Sequence, residues 1–342
     1  MNESEALERL EAVFKSPMLQ MNVLAALTGT CAAVLTWVFI SMSKGVQGIF
    51  YGDSFIHNSL VDSSSEWKII FIPALGGLLA GLIIEYWSKE AKGAGVPLVM
   101  EAVTFKQARL SAKRAVAKCF AAATCIGTGM SLGRVGPMVV ISSTVGSEVG
   151  QRTGKTVDET RTLVGCGAAS AITAAFNAPL GGVLFAIELI LAELRTRSFI
   201  PIVVAAVIAT TVGRGLTGDV AAFDSIPEYS LGSPAEYPFY IVLGLITGFA
   251  AAIFIRLLNF FETNIEKMEM VPVPFRTCLG GLCVGLIALS FPHVLGNGFG
   301  VTSDLISLDT NEEGALIMGD SFPDGMDVST GISSLLVFVI SI

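Results

Sequence analysis

The stretch Ser131-Leu132-Gly133-Arg134-Val135-Gly136-Pro137 decides how this chain folds. It lies between two apolar segments, 115–130 and 138–147, and brings two glycines, a proline and an arginine to a depth where a spanning helix accommodates none of them cheaply. Irregular backbone survives inside a membrane only where it is buried in protein or lines a polar cavity. Pro137 suits the first turn of a helix, where its missing N–H is not needed. The stretch therefore reads as a loop that delivers a helix N-terminus, starting near Gly136, into the interior of a membrane protein. Such an end carries partial positive charge and unpaired N–H groups, which favour an anion.

The composition agrees with a membrane setting. Of 342 residues, 52% are hydrophobic and only 15% charged, against about 25% charged in soluble domains, and the mean hydropathy is +0.70. Thirty-six glycines fit helices that pack closely in lipid. The fold class is an all-α polytopic membrane protein. The net charge of -8 comes largely from acids in the N-terminal tail and in two loops, 52–66 and 304–327, so it does not oppose an anion site; nucleic acid is excluded as a partner. Six cysteines (Cys31, Cys119, Cys125, Cys166, Cys278, Cys283) lie in apolar stretches without metal-site or disulfide spacing. His57 and His293 stand far apart, and no metal site or cofactor is expected. Nor does any Ser/His, paired-Asp or metal-ligand set stand at spanning depth, so the chain does not read as an enzyme.

Along the chain, residues 3–15 read as a surface helix or a solvated tail within an N-terminal cytoplasmic segment, 1–18. Spans follow at 19–43 and 67–88. Gly93-Ala94-Gly95-Val96-Pro97 is a second glycine-rich break, and the apolar segment after it, to about Phe105, is too short to cross a bilayer, which needs about 20 residues. Lys106, Arg109, Lys113 and Arg114 then mark a cytoplasmic loop. After the opening stretch come a polar link (Arg152 to Arg161), two apolar segments at 162–175 and 178–194 split at Asn177-Ala178-Pro179, a cytoplasmic edge at Arg195 and Arg197, and a helix at 199–216. Asn177 is expected to cap the helix that Pro179 begins. A linker loop, 218–236, separates this first transmembrane repeat, 19–217, from a second, 237–342.

The second half restarts the first. Leu27-Thr28-Gly29 resembles Ile246-Thr247-Gly248. Leu75-Gly76-Gly77-Leu78-Leu79-Ala80-Gly81-Leu82-Ile83 recurs as Leu279-Gly280-Gly281-Leu282-Cys283-Val284-Gly285-Leu286-Ile287, and Gly93-Ala94-Gly95 as Gly296-Asn297-Gly298. An odd number of crossings between the copies would invert the second, and inverted repeats with broken helices at the midplane are a recurrent transporter plan. The Gly77/Gly81 and Gly281/Gly285 pairs have the spacing of close helix contacts. The second copy is incomplete: the counterpart of 133–137 would follow Ile342, so a truncated product or a fragment is expected.

These motifs resemble the CLC family of chloride channels and proton-coupled chloride exchangers, in its prokaryotic type without cytoplasmic regulatory domains. The family's Gly-Ser-Gly-Ile-Pro stretch corresponds to Gly93–Pro97, its Gly-Arg-Glu-Gly-Pro stretch to Gly133–Pro137, and Phe176 to Glu188 is similar to a further family segment. The resemblance implies an inverted-repeat fold with re-entrant helices, a homodimer joined through helices in 178–217, and chloride held at helix N-termini in each subunit. It places the anion pathway at Gly93, Ala94, Gly95, Val96, Pro97, Gly133, Arg134, Val135, Gly136 and Pro137. It also implies a multi-pass protein of the cell membrane with its N-terminus in the cytoplasm, with chloride and the lipid bilayer as its partners.

Three positions depart from the family. The gating glutamate is Val135, the inner proton-passing glutamate is Leu189, and the serine that touches chloride from inside is Ala94. Proton coupling needs the first two groups, so passive transport of chloride or a similar small monovalent anion is expected. A proton/chloride antiporter relative and a non-conducting accessory subunit are the alternatives. Arg134 is either a structural arginine or part of the pore lining, and Glu188, inside an apolar helix, calls for a partner or water.

Overall fold

The computed structural model describes residues 16–52, 66–88, 91, 93–192, 196–219, 237–267, 271–299, 302, 309–310 and 316–317. The expected helix at 3–15, the loop with His57, most of the linker 218–236 and the run from Gly331 to Ile342 lie outside these residues. The helices are α1 (Pro17–Tyr51), α2 (Glu66–Trp87), α3 (Gly95–Phe105), α4 (Ala112–Gly127), α5 (Val135–Arg152), α6 (Val157–Phe176), α7 (Pro179–Phe185), α8 (Thr196–Thr217), α9 (Tyr237–Glu266) and α10 (Val273–Ser290). A π-helical turn, Ala186–Leu191, continues α7. Asp309–Thr310 and Leu316–Ile317 form a two-residue antiparallel pair. Among the described residues five helices, α1, α2, α8, α9 and α10, have the length and apolarity to cross a membrane, while α3 and the segment Pro179–Leu191 are apolar but short.

The expected order of spans and breaks is present, with shifted ends. The first span runs to Tyr51 rather than 43, because apolar and small residues continue past Lys44. Helix α6 begins at Val157, inside what read as a polar link. Its start is a capping box: the Thr156 hydroxyl accepts from the Glu159 N–H, and the Glu159 carboxylate accepts from the Thr156 N–H at 2.9 Å. The same backbone hydrogen bond holds the Glu159 carboxyl below its ordinary range. Asn177 does not open α7. It closes α6 in the left-handed conformation, φ 53 and ψ 34, and Ala178 precedes α7 instead. Asparagine tolerates that conformation better than other non-glycine residues.

The chain forms two compact units. The first comprises Met1–Lys44, Tyr86–Ala123 and Gly133–Ala222. Its centre is α6, packed by α5, α7 and α8, with every residue from Thr162 to Ala171 buried. Small residues permit this. A Cβ at Gly146 would stand 2.0 Å from the Leu163 carbonyl oxygen, and one at Gly167 2.2 Å from that of Ser142, so α5 and α6 approach to backbone contact.

The second unit comprises Gly45–Glu85, Thr124–Leu132 and Phe223–Ile342. Here α2 and α10 cross at their glycines. A Cβ at Gly77 would meet the Thr277 carbonyl oxygen at 2.2 Å, and one at Gly281 would meet that of Pro73 at 2.2 Å. Gly81 faces Pro274, and Gly285 faces Ile70. In the repeat alignment Gly77 matches Gly281, Pro73 matches Thr277, Gly81 matches Gly285 and Ile70 matches Pro274. Each contact therefore has its mate, which is the mark of a two-fold relation, and rising numbers in one helix meet falling numbers in the other. The duplicated helices are an antiparallel, two-fold-related pair, as an inverted repeat requires. Within the second unit, the segment Thr124–Leu132 is also held by hydrogen bonds. Gly296 donates its N–H to the Gly129 carbonyl at 2.9 Å and accepts from the Leu132 N–H at 3.3 Å. Tyr51 Oη donates to the Thr128 carbonyl at 3.0 Å.

Candidate functional site: two helix starts in backbone contact

In the first unit, the two glycine breaks meet. Gly93 turns the chain at φ +84, a conformation glycine adopts without Cβ cost, and Ala94 follows in extended geometry. Helix α3 starts at Gly95 and α5 at Val135. A Cβ at Gly95 would fall 2.6 Å from the carbonyl carbon and oxygen of Gly136, whereas one at Gly136 would lie 3.5 Å from Gly95 Cα. Only hydrogen at Gly95 allows the two starts to approach this closely.

Neither start is capped by a side chain, and neither has an acidic residue in its first turn. The contrast with α6 in the same unit is informative: that helix fills its end with Thr156 and Glu159 and places Asp158 and Glu159 in the first turn. The first N–H groups of a helix lack intrahelical partners, and their positive partial charge is left unopposed by side chains at α3 and α5. The Ala94 side chain, with no hydroxyl, adds neither acceptor nor donor.

Two cations hold these loops. Lys118, buried on α4, donates from Nζ to the Ala91 carbonyl at 3.0 Å and to the Gly93 carbonyl. The ammonium thus secures the turn that presents α3. The sequence reading passed over Lys118; a lone lysine within the apolar run 115–130 was the available signal, since intramembrane charge defaults to a functional candidate. Arg134 places its guanidinium 5.7 Å from the Phe176 ring centroid, a cation–π contact that ties the residue before α5 to the end of α6. At the other end of α3, Ser147 Oγ of α5 donates to the Ala108 carbonyl at 2.6 Å and accepts from the Leu110 N–H at 3.0 Å. Gln107 and Ala108, both at positive φ, shape that turn.

The remaining candidates distribute around this contact. Gly93, Ala94, Pro97 and Gly133 are exposed, Val96, Arg134, Val135 and Gly136 half-buried, and Gly95 and Pro137 buried. Leu189 and Glu188 are exposed on the π-helical turn, which packs against α3. π-Turns arise from one residue in excess of α-helical register and concentrate at functional positions.

A multi-pass helical membrane protein with two uncapped helix starts meeting at a glycine contact is the class that fold and site define. The family described as voltage gated chloride channel matches residues 76–341, and the chain belongs to this CLC family. Among its relatives, a putative chloride channel protein ClcB-like of Ralstonia nicotianae is 30% identical over 290 residues, covering 84% of this chain and 67% of that protein. The voltage-gated ClC-type chloride channel ClcB of Escherichia coli is 27% identical, covering 80% of this chain and 63% of that protein. The chain thus spans about two thirds of the length of these relatives. Of solved structures, a slow cyanobacterial Cl-/H+ antiporter superposes with a TM-score of 0.74 at 21% identity, covering 95% of this chain and 74% of that one. A CLC-type fluoride/proton antiporter gives 0.71 at 16% identity, covering 94% and 75%. At these identities the superpositions establish the fold.

Proposed function

We propose that this protein passes chloride, or a similar small monovalent anion, across a membrane without coupled proton movement. The observation that carries the reading is the contact of two uncapped, acid-free helix starts at Gly95 and Gly136, with N–H dipoles available to replace water around an anion. The path is lined by Gly93 to Pro97 and by Gly133 to Pro137, and Lys118 adds fixed positive charge at the first of these breaks. Val135 and Leu189 carry no proton, which favours passive movement over exchange. Losing the family serine at Ala94 removes one hydrogen bond to a bound ion, a loss of about 1.5–3 kcal/mol.

We further propose two transmembrane repeats, 19–217 and 237–342, and a homodimer formed through helices in 178–217. The face bearing Lys106, Arg109, Arg152, Lys155 and Arg197 is assigned to the cytoplasm on the positive-inside tendency, which places the N-terminus there. Chloride-loaded liposomes containing the protein test the transport reading. Efflux without accompanying proton uptake is expected. Stoichiometric proton movement driven by a chloride gradient would establish exchange instead, and efflux equal to protein-free vesicles would establish a non-conducting role.

A further inference from the structure

The first unit contains a cavity of about 970 Å³ between the starts of α1, α6 and α8, apart from the glycine contact. Its walls have two characters. Met18, Met21, Ile200 and Pro201 form an apolar side, while Arg161, Arg197 and Ser198 belong to a polar one. α1 and α8, both long and apolar enough to cross a membrane, begin here, which is where the apolar depth of a bilayer would give way to water.

The charges on its wall are mostly engaged. Arg161 donates from Nε to the Val103 carbonyl at 3.0 Å and pairs with Asp158 at 3.3 Å. Glu159 is held by the Thr156 N–H and hydroxyl, each at 2.9 Å, with Lys155 at 3.8 Å. Thr162 and Ser198 share a hydrogen bond at 2.9 Å. Arg197 is exposed and makes no hydrogen bond or ion pair among the described residues. Among the described residues the lining is thus left with one positive charge beside hydroxyls at the wet end and thioether and aliphatic surface at the other. That pattern matches an amphiphile with a single phosphate, and basic pockets between spanning helices on the cytoplasmic side are known recognition sites for anionic lipid headgroups.

We infer that this cavity binds one glycerophospholipid, its phosphate on Arg197 and Ser198 and the upper part of an acyl chain along Met18, Met21 and Ile200. A free phosphate ion would use the polar wall alone and leave the apolar one uncovered. The test is native mass spectrometry of the purified protein in detergent with added phosphatidylglycerol, with no dependence on transport. Wild type retains one lipid. Arg197→Gln lowers its occupancy about fivefold, the factor expected for one interfacial basic residue. Ile200→Trp, which fills the apolar half and keeps the charge, lowers it as well, while Arg152→Gln on the same face leaves it unchanged. Equal retention by wild type and Arg197→Gln overturns the inference. So does displacement of the lipid by millimolar inorganic phosphate, or indifference to Ile200→Trp, either of which identifies an anion site without a lipid tail.

Discussion

Gly95 and Gly136 touch through their backbones, but not symmetrically: a methyl group on Gly95 would fall 2.6 Å from the Gly136 carbonyl, and a methyl group on Gly136 would rest 3.5 Å from Gly95 Cα. The first is a clash with immovable backbone and the second ordinary contact. Gly95→Ala is therefore expected to force the helix starts apart at a cost of about 1–3 kcal/mol, with anion efflux from liposomes falling at least several-fold. Gly136→Ala is expected to keep efflux close to wild type. Equal effects of the two variants would show that this contact does not set the path.

Val135 begins α5 beside that contact. A carboxylate there would be attracted to the same uncapped N–H groups as an anion. Val135→Glu is expected to make efflux fall as pH rises through the carboxylate range and the charged side chain competes for the site. Efflux of Val135→Glu measured between pH 4 and pH 8 (about the interval around a carboxylate pKa) checks this; a flat profile at wild-type level places position 135 away from the ion.

Lys118 bonds the carbonyls of Ala91 and Gly93 from a buried position. Lys118→Met keeps the length of the side chain and removes the donor, leaving carbonyls unsatisfied at about 1.5–3 kcal/mol for a charge-assisted bond. Lower thermal stability in detergent together with reduced efflux is expected. Unchanged stability would mean that the turn at Gly93 holds itself.

The reciprocal contacts of α2 and α10 lead to matched expectations for distant positions. Gly77→Ala and Gly281→Ala each press a methyl group to 2.2 Å from a facing carbonyl oxygen. Both are expected to destabilise by about 1–3 kcal/mol, and by similar amounts. Thermal unfolding of the two variants compares them directly; a large difference would mean that the two-fold relation does not extend to the energetics.

The capping box of α6 links stability to pH. The Thr156 N–H lowers the folded-state pKa of Glu159, so the carboxylate contributes stability that is present above its unfolded pKa and lost as pH falls through the folded one. Glu159→Gln should lower the melting temperature slightly at pH 7, and the gap from wild type should close in acid. A gap that widens in acid would contradict the sign. Thr156→Ala is expected to cost about 0.5–2 kcal/mol at neutral pH.

Much of this architecture is visible in the order of residues. Pro97 and Pro137 one turn into their helices, glycines at 93, 95, 133 and 136, and the repeated Leu-Gly-Gly-Leu segments are local signals, because glycine, proline and apolar length act through the backbone of their own segment. Helix ends were less clear where short-range chemistry could serve two elements: Asn177 caps the helix before it, and Thr156 with Glu159 begins α6 inside a polar stretch. The π-turn Ala186–Leu191 was not legible, because one surplus residue in a helix leaves no mark on the apolar pattern around it.

The sequence by itself determined that the chain is a polytopic helical membrane protein and that it breaks its helices at two glycine-rich points; the valine and leucine at 135 and 189 drew their meaning only from the resemblance to the CLC family. Only the tertiary structure decided that the two breaks meet at Gly95 and Gly136, that Lys118 secures the first of them, and that the duplicated helices cross two-fold and antiparallel. The reason is physical. A helix start is written in a few adjacent residues, whereas the distance between two starts depends on packing among segments far apart in the chain, and no residue records its distant neighbour.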